Sequence, residues 1–127
     1  MKIELTYVGR PITKKNSSQI FRTKSGQPFI TPSAQYKQYE HDCIWQTPPR
    51  ARISVSEPVS VKCIYYLPTH AKTDLCNLLG ATCDILIKAG VIEDDNSRIV
   101  VAHDGSRVRY DKNNPRVEIT ITDMEGE

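Results

Sequence analysis

Two spacings of apolar residues alternate along the chain, one of two residues and one of three to four, and each change of spacing marks a new element. In residues 2–8, Ile3, Leu5 and Tyr7 alternate with Lys2, Glu4 and Thr6, which predicts a strand with one buried face. Gly9, Arg10 and Pro11 end it. Residues 12–32 are polar and punctuated, and the pieces 20–22 and 28–31 on either side of Ser25 and Gly26 suggest a hairpin. A long polar segment in a small domain is more often functional than merely connecting. A helix is expected to open after Pro32, with Ser33 as its cap and Tyr36, Tyr39, Cys43 and Trp45 as its apolar stripe. Thr47, Pro48 and Pro49 stop it.

Residues 50–58 read as a linker with strand-like alternation at Ile53 and Val55. The clearest strand is 59–67: Val59, Val61, Cys63, Tyr65 and Leu67 share one face, and Ile64 and Tyr66 on the other suggest cover on both sides. Leu75, Leu78, Leu79, Thr82, Cys83, Leu86 and Ile87 then recur at helical spacing over 75–89. Thr73 or Asp74 caps the start and Gly90 suits the residue after the end. Gly80, inside the helix, costs about 1 kcal/mol relative to Ala. Short strands are expected at 99–102 and 106–110, and Val117, Ile119 and Ile121 mark a last half-buried strand. This order predicts an α/β (α+β) fold, a mixed β-sheet packed with two helices. At 127 residues it is expected to form one domain, 1–127.

Charge adds a distribution rather than a sum. The formal net charge is only +2, but basic residues collect in 10–24 and 98–116 and carboxylates in 93–95 and 123–127. Arg10, Lys14, Lys15, Arg22 and Lys24 are natural phosphate contacts, although a solvated loop explains them equally well. The four cysteines form no CxxC, and no signal peptide or membrane-length apolar run is visible. The reading is a cytoplasmic protein with free thiols and no membrane association. A zinc site from Cys63, His70, Cys76 and Cys83 has no familiar spacing. Asp84 and Lys88 stand four apart and are expected to pair. His70 falls in a turn, and Tyr36 and Tyr39 fit a core stripe better than a base-stacking platform.

The polar residues around the second helix carry a resemblance. Lys72, Thr73, Asp74, Leu75, Cys76, Asn77 and Leu78, then Asp84, Lys88, Ala89, Gly90, Asp94 and Asp95, resemble the RusA family of Holliday junction resolvases. That family has a D-x-D-N-L motif at a helix start, a lysine four residues past its second Asp, and a K-A-G…D-D run afterwards. Gly9, Arg10, Pro11, Lys14 and Lys15 are similar too, so the likeness spans most of the chain. It implies a homodimeric, Mg2+-dependent (Mn2+ as an alternative) endodeoxyribonuclease that binds four-way DNA junctions and nicks them symmetrically in recombination and repair. By matched position it implies Asp74, Asp95 and Asp94 as catalytic and metal-binding carboxylates. Arg10, Lys14, Lys15, Lys72, Arg107 and Arg109 are the expected DNA contacts.

Two positions depart from the pattern: Cys76 stands where the family has its second Asp, and Gly80 where it has the lysine. A thiol is a poor ligand for Mg2+, which takes oxygen, and the missing lysine removes a cation from the reacting phosphate. The alternative is therefore a weakened or inactive module of the same fold that still binds branched DNA. A helix over 75–89 is about 22 Å long, which separates Asp74 from Asp94 and Asp95. The site is then completed either by a partner protomer or by a return of the chain after Gly90.

Overall fold

The computed structural model describes residues 1–14, 18–22, 26 and 28–124, with 18–22 and 28–32 described by backbone alone. Lys15 and Lys24 lie outside the described residues, as does the side chain of Arg22. The elements are β1 (Lys2–Val8), β2 (Ser18–Arg22), β3 (Pro28–Pro32), α1 (Ala34–Gln46), β4 (Val59–Leu67), α2 (Leu75–Lys88), β5 (Val100–Ala102), β6 (Arg107–Tyr110) and β7 (Arg116–Asp123), with a 3-10 turn at Pro49–Ala51.

A five-stranded mixed sheet runs β1-β7-β4-β5, with β6 also on β4, and β2 and β3 form the expected separate hairpin. β7 pairs antiparallel with both β1 and β4, whereas β5 and β6 lie parallel to β4. β5 covers the start of β4 at Val59 and Ser60, and β6 covers its end from Ile64 to Leu67. The stretch between them is filled by side chains: His103 Nδ1 lies 2.8 Å from the Val61 carbonyl oxygen, and the Cys63 N–H donates to Ser106 Oγ at 3.0 Å. Buried backbone groups need partners, and here the turn between two short edge strands supplies them.

The core lies between one sheet face and the two helices. Ile3, Leu5 and Tyr7 of β1, Val117, Ile119 and Ile121 of β7, and the five alternate residues from Val59 to Leu67 of β4 are all buried. The opposite face of β4 is less covered than its composition suggests: Lys62 is exposed, and Ile64 and Tyr66 are only half-buried. Its helices occupy one side, and the Arg116 guanidinium, 3.8 Å from the Tyr66 ring centroid, covers part of the other.

α1 opens as expected, with the Tyr36 N–H donating to Ser33 Oγ at 3.1 Å. Tyr36, Tyr39 and Cys43 are buried in the core, but Trp45 is 75% exposed. It sits two residues past Cys43, about 200° round the helix, and so leaves the stripe. α2 buries Leu78, Ala81, Thr82, Cys83, Ile85 and Leu86, and Gly90 follows in the left-handed region at φ 77°. Tyr65 of β4 and Thr82 of α2 share a buried hydroxyl hydrogen bond of 2.7 Å. Arg52 joins the two helix C-termini, donating to the carbonyls of Ile44 and Ala89. Asp84 and Lys88 do not pair as expected. Lys14 reaches Asp84 at 3.5 Å and Lys88 reaches Glu40 of α1 at 3.0 Å, because packing offers each a partner off its own helix.

Candidate active site

Two clefts are lined by residues near the start of α2, one by those that precede it and one by those of the helix itself. Asp74 is the N-cap residue, with extended backbone, but its side chain makes no capping hydrogen bond. Its Oδ2 instead accepts from Asn77 Nδ2 at 3.2 Å. The carboxylate is thus held by a side chain, and the first amides of the helix are left for another acceptor. Helix N-termini favour anions for this reason.

The approach to Asp74 helps to line a cleft of about 170 Å3 whose wall includes Arg10, Thr13, Gln35, Lys72 and Thr73. Two expected DNA contacts, Arg10 and Lys72, are thereby brought together from the end of β1 and the approach to α2. Lys14 is nearby in sequence, tied to Asp84 and placed 5.8 Å from the Tyr36 ring centroid. Arg107 and Arg109 are exposed on the edge strand β6. His70 is exposed and its ring lies 3.6 Å from that of Tyr110, which joins the approach to α2 to the end of β6.

α2 itself contributes to a second cleft, of about 310 Å3, lined by Cys76, Gly80, Cys83, Asp95 and His103. Leu79 and Val100 complete its wall. Asp95 arrives here because the chain turns back after α2. The Val91 N–H donates to the Leu86 carbonyl at 2.9 Å, and Val91 and Ile92 are buried. Val55 then pairs with the returning segment, its N–H donating to Val91 and its carbonyl accepting from the Glu93 N–H, both at 2.9 Å. The chain does return after Gly90, which is one of the two routes open to the sequence. Asp95 stands along the flank of α2, and not beyond its far end.

Asp94 faces elsewhere. It lines a different cleft with Ser56, Glu93, Asn96 and Arg98. A hydrogen bond from Asn96 Nδ2 at 2.9 Å, aided by the Asp95 backbone, holds its carboxyl below the usual range. The cysteines are free, and only Cys76 of the four is exposed. Burial pushes the thiols of Cys43, Cys63 and Cys83 up to about 12. Among the described residues no three His, Cys, Asp or Glu side chains are arranged to hold a metal ion, and that includes the set Cys63, His70, Cys76 and Cys83. No described helix is long and apolar enough to cross a membrane.

His103 was not singled out by the sequence. It follows a three-residue strand and precedes an Asp-Gly turn, and only the break between β5 and β6 turns its ring to the Val61 carbonyl. The faint local signal is a histidine between two short strand patterns.

Two comparisons bear on this arrangement. The family model for the endodeoxyribonuclease RusA matches residues 9–122. A protein from Aquifex aeolicus (strain VF5) named crossover junction endodeoxyribonuclease RusA is 31% identical over 96 residues, covering 75% of this chain and 73% of its own. The matched span includes both clefts.

Proposed function

The chain belongs to the RusA endodeoxyribonuclease family, and from that premise we propose that it binds four-way DNA junctions and nicks them symmetrically as a homodimer. The observation that supports this reading is the pair of clefts near the start of α2, a basic one with Arg10 and Lys72 and a second one along the helix bearing Asp95. Arg10 and Lys72 neutralise and position the DNA backbone, with Lys14, Lys15, Arg107 and Arg109 extending the basic surface. The free amides at the start of α2 receive a phosphate oxygen.

Hydrolysis requires a water to lose a proton as it attacks phosphorus and the leaving oxygen to gain one. Asp74, oriented by Asn77, and Asp95 are the carboxylates assigned to the reacting phosphate; either can accept the water proton, and the leaving oxygen takes its proton from solvent water. Asp94 acts at most from outside, through its backbone link to Asp95. A two-fold homodimer suits a symmetric substrate and presents two such sites, one for each nicked strand.

The resemblance implies Mg2+, and the donor set does not match it. Mg2+ takes near-octahedral oxygen, whereas the Asp95 cleft offers one carboxylate, two thiols and an imidazole. Mn2+ tolerates such nitrogen and sulfur better. The same departures, Cys76 and Gly80, favour a second reading, a junction-binding module that does not cut.

A nicking assay on a four-way junction beside linear duplex, with Mg2+ and with Mn2+, tests both readings. Nicking of the junction that Asp95→Asn abolishes, with binding retained, is the expected result. Junction binding without nicking, even in Cys76→Asp, favours the second reading. Failure to bind junctions in preference to duplex refutes both.

A further inference from the structure

We propose that His70 and Tyr110 form a stacking block for the bare face of a nucleobase at a DNA branch point, and that this contact distinguishes a junction from linear duplex. It rests on reading the chain as a junction-binding protein, and it names the residues that select the branch. The two ring centroids stand 3.6 Å apart, with the planes inclined by 33°, close to the spacing of about 3.4 Å between successive bases of a DNA strand. Both residues are exposed, Tyr110 by 48%, so the pair keeps open ring surface after stacking on itself. Tyr36 and Tyr39 also lie ring to ring, but they are buried where no base reaches them.

The sheet register puts this block on the side of the candidate site. Where β6 runs parallel to β4, Val108 lies opposite Tyr65 and Tyr110 opposite Leu67. Residues paired across neighbouring strands point to the same face, and Tyr65 and Leu67 are buried in the core between sheet and helices. Tyr110 therefore rises on the helix side of its edge strand. The chain leaves β4 at Leu67, lays His70 against that ring, and then supplies Ala71, Lys72 and Thr73 to the wall of the basic cleft before it reaches Asp74. The strand end is braced. The Asp111 N–H donates to the Leu67 carbonyl at 2.9 Å, and the Asp111 carboxylate accepts from Arg116 at 3.0 Å. A ring already held in place loses little freedom on binding.

A linear duplex covers both faces of every base pair except at its ends. At an opened four-way junction, each pair bordering the branch point has one bare face. Phosphates are alike in the two substrates, so Arg10 and Lys72 supply affinity without preference. An aromatic ring on a bare base supplies preference without charge. The neighbouring cations make a nucleic acid the occupant that fits, since a base stacked on His70 or Tyr110 brings its phosphates toward the cleft that holds Lys72. Trp45 is also exposed, but it is not placed for this contact. From Gln35, which lines the basic cleft, to Trp45 is about 15 Å along α1.

The test is a titration of a labelled four-way junction and of linear duplex with the full chain, without divalent metal and at several salt concentrations. Wild type should prefer the junction. Tyr110→Leu and His70→Ala should each lose about fivefold or more in junction affinity, as removal of a base–aromatic stack does, with duplex affinity and both salt slopes unchanged. Tyr110→Phe, which keeps the ring, should bind as wild type does, and Trp45→Ala should change neither substrate. Undiminished junction preference in Tyr110→Leu or His70→Ala overturns the proposal, and so does a loss of preference in Tyr110→Phe or Trp45→Ala. A parallel fall on junction and duplex overturns it too, because the pair would then be only a prop for the loop that carries Lys72. A wild type without junction preference refutes the junction-binding reading itself, whereas a preference that outlives the tyrosine ring removes this inference alone.

Discussion

Replacing Gly80 tests the local physics of α2 and the chemistry of its cleft in one pair of variants. Gly80 is exposed within α2, and an added Cβ would meet nothing within 4 Å. No overpacking cost therefore offsets the gain in helix propensity, which is about 1 kcal/mol for Gly80→Ala and slightly less for Gly80→Lys. Over 127 residues, unfolding entropy is roughly 0.27 kcal/mol/K at 2.1 cal/mol/K per residue, so the midpoint should rise by about 4 °C. Thermal melts and urea titrations check this, with the urea midpoint moving and its slope unchanged. A lowered midpoint in Gly80→Ala would refute the reasoning, since it would mean that another surface, such as a partner protomer, needs the bare backbone. The two variants then separate stability from charge. Only Gly80→Lys adds a cation over the cleft that holds Asp95, so it should nick four-way junctions faster than Gly80→Ala. Equal rates in two equally stable variants would remove the cleft from the reaction.

Three further outcomes follow from the structure. In the native protein Ellman's reagent should modify one thiol per chain rapidly, Cys76, and all four in denaturant; a second fast thiol contradicts the burial of Cys43, Cys63 and Cys83. A combined Arg10→Ala and Lys72→Ala variant should bind junctions more weakly and flatten the slope of log affinity against log salt by about 2, and an unchanged slope would place the DNA elsewhere. Asp111 is held below its ordinary value of 3.8, chiefly by its hydrogen bond from Arg116 at 3.0 Å. A carboxyl lowered on folding stabilises above the unfolded value and loses that contribution as pH falls through the folded one. The stability gap between wild type and Asp111→Asn, measured in urea, should thus be present at pH 7 and shrink below pH 3.8; a gap that is flat with pH would deny the ion pair its role.

What the sequence determined by itself is what repeats over a few residues. Ile3, Leu5 and Tyr7, then Val117, Ile119 and Ile121, mark their strands because alternate side chains of a strand share one face. Ser33 and Gly90 mark helix ends because capping is a property of adjacent backbone. The ordered motif around Asp74 carried the family for the same reason, as its residues lie within one helix and its flanks. Distance along the chain is where this reach ended. Asp84 had Lys88 four residues away, yet Lys14 and Glu40 were nearer partners once the helices had packed. Ile64 and Tyr66 were as apolar as a covered face requires, but helices occupy only one side of the sheet.

The candidate site divides along the same line. Asp74 and Cys76 were legible as the opening of a helix, and Asp95 as an acid beyond its end. That Asp95 comes back beside Cys76 was decided by the left-handed turn at Gly90 and the pairing of Val55 with Val91 and Glu93. His103 entered only because β5 and β6 leave the Val61 carbonyl uncovered. A backbone group 42 residues away set the direction of that ring, and periodicity, which compares a residue with its near neighbours, carries no information about such a partner.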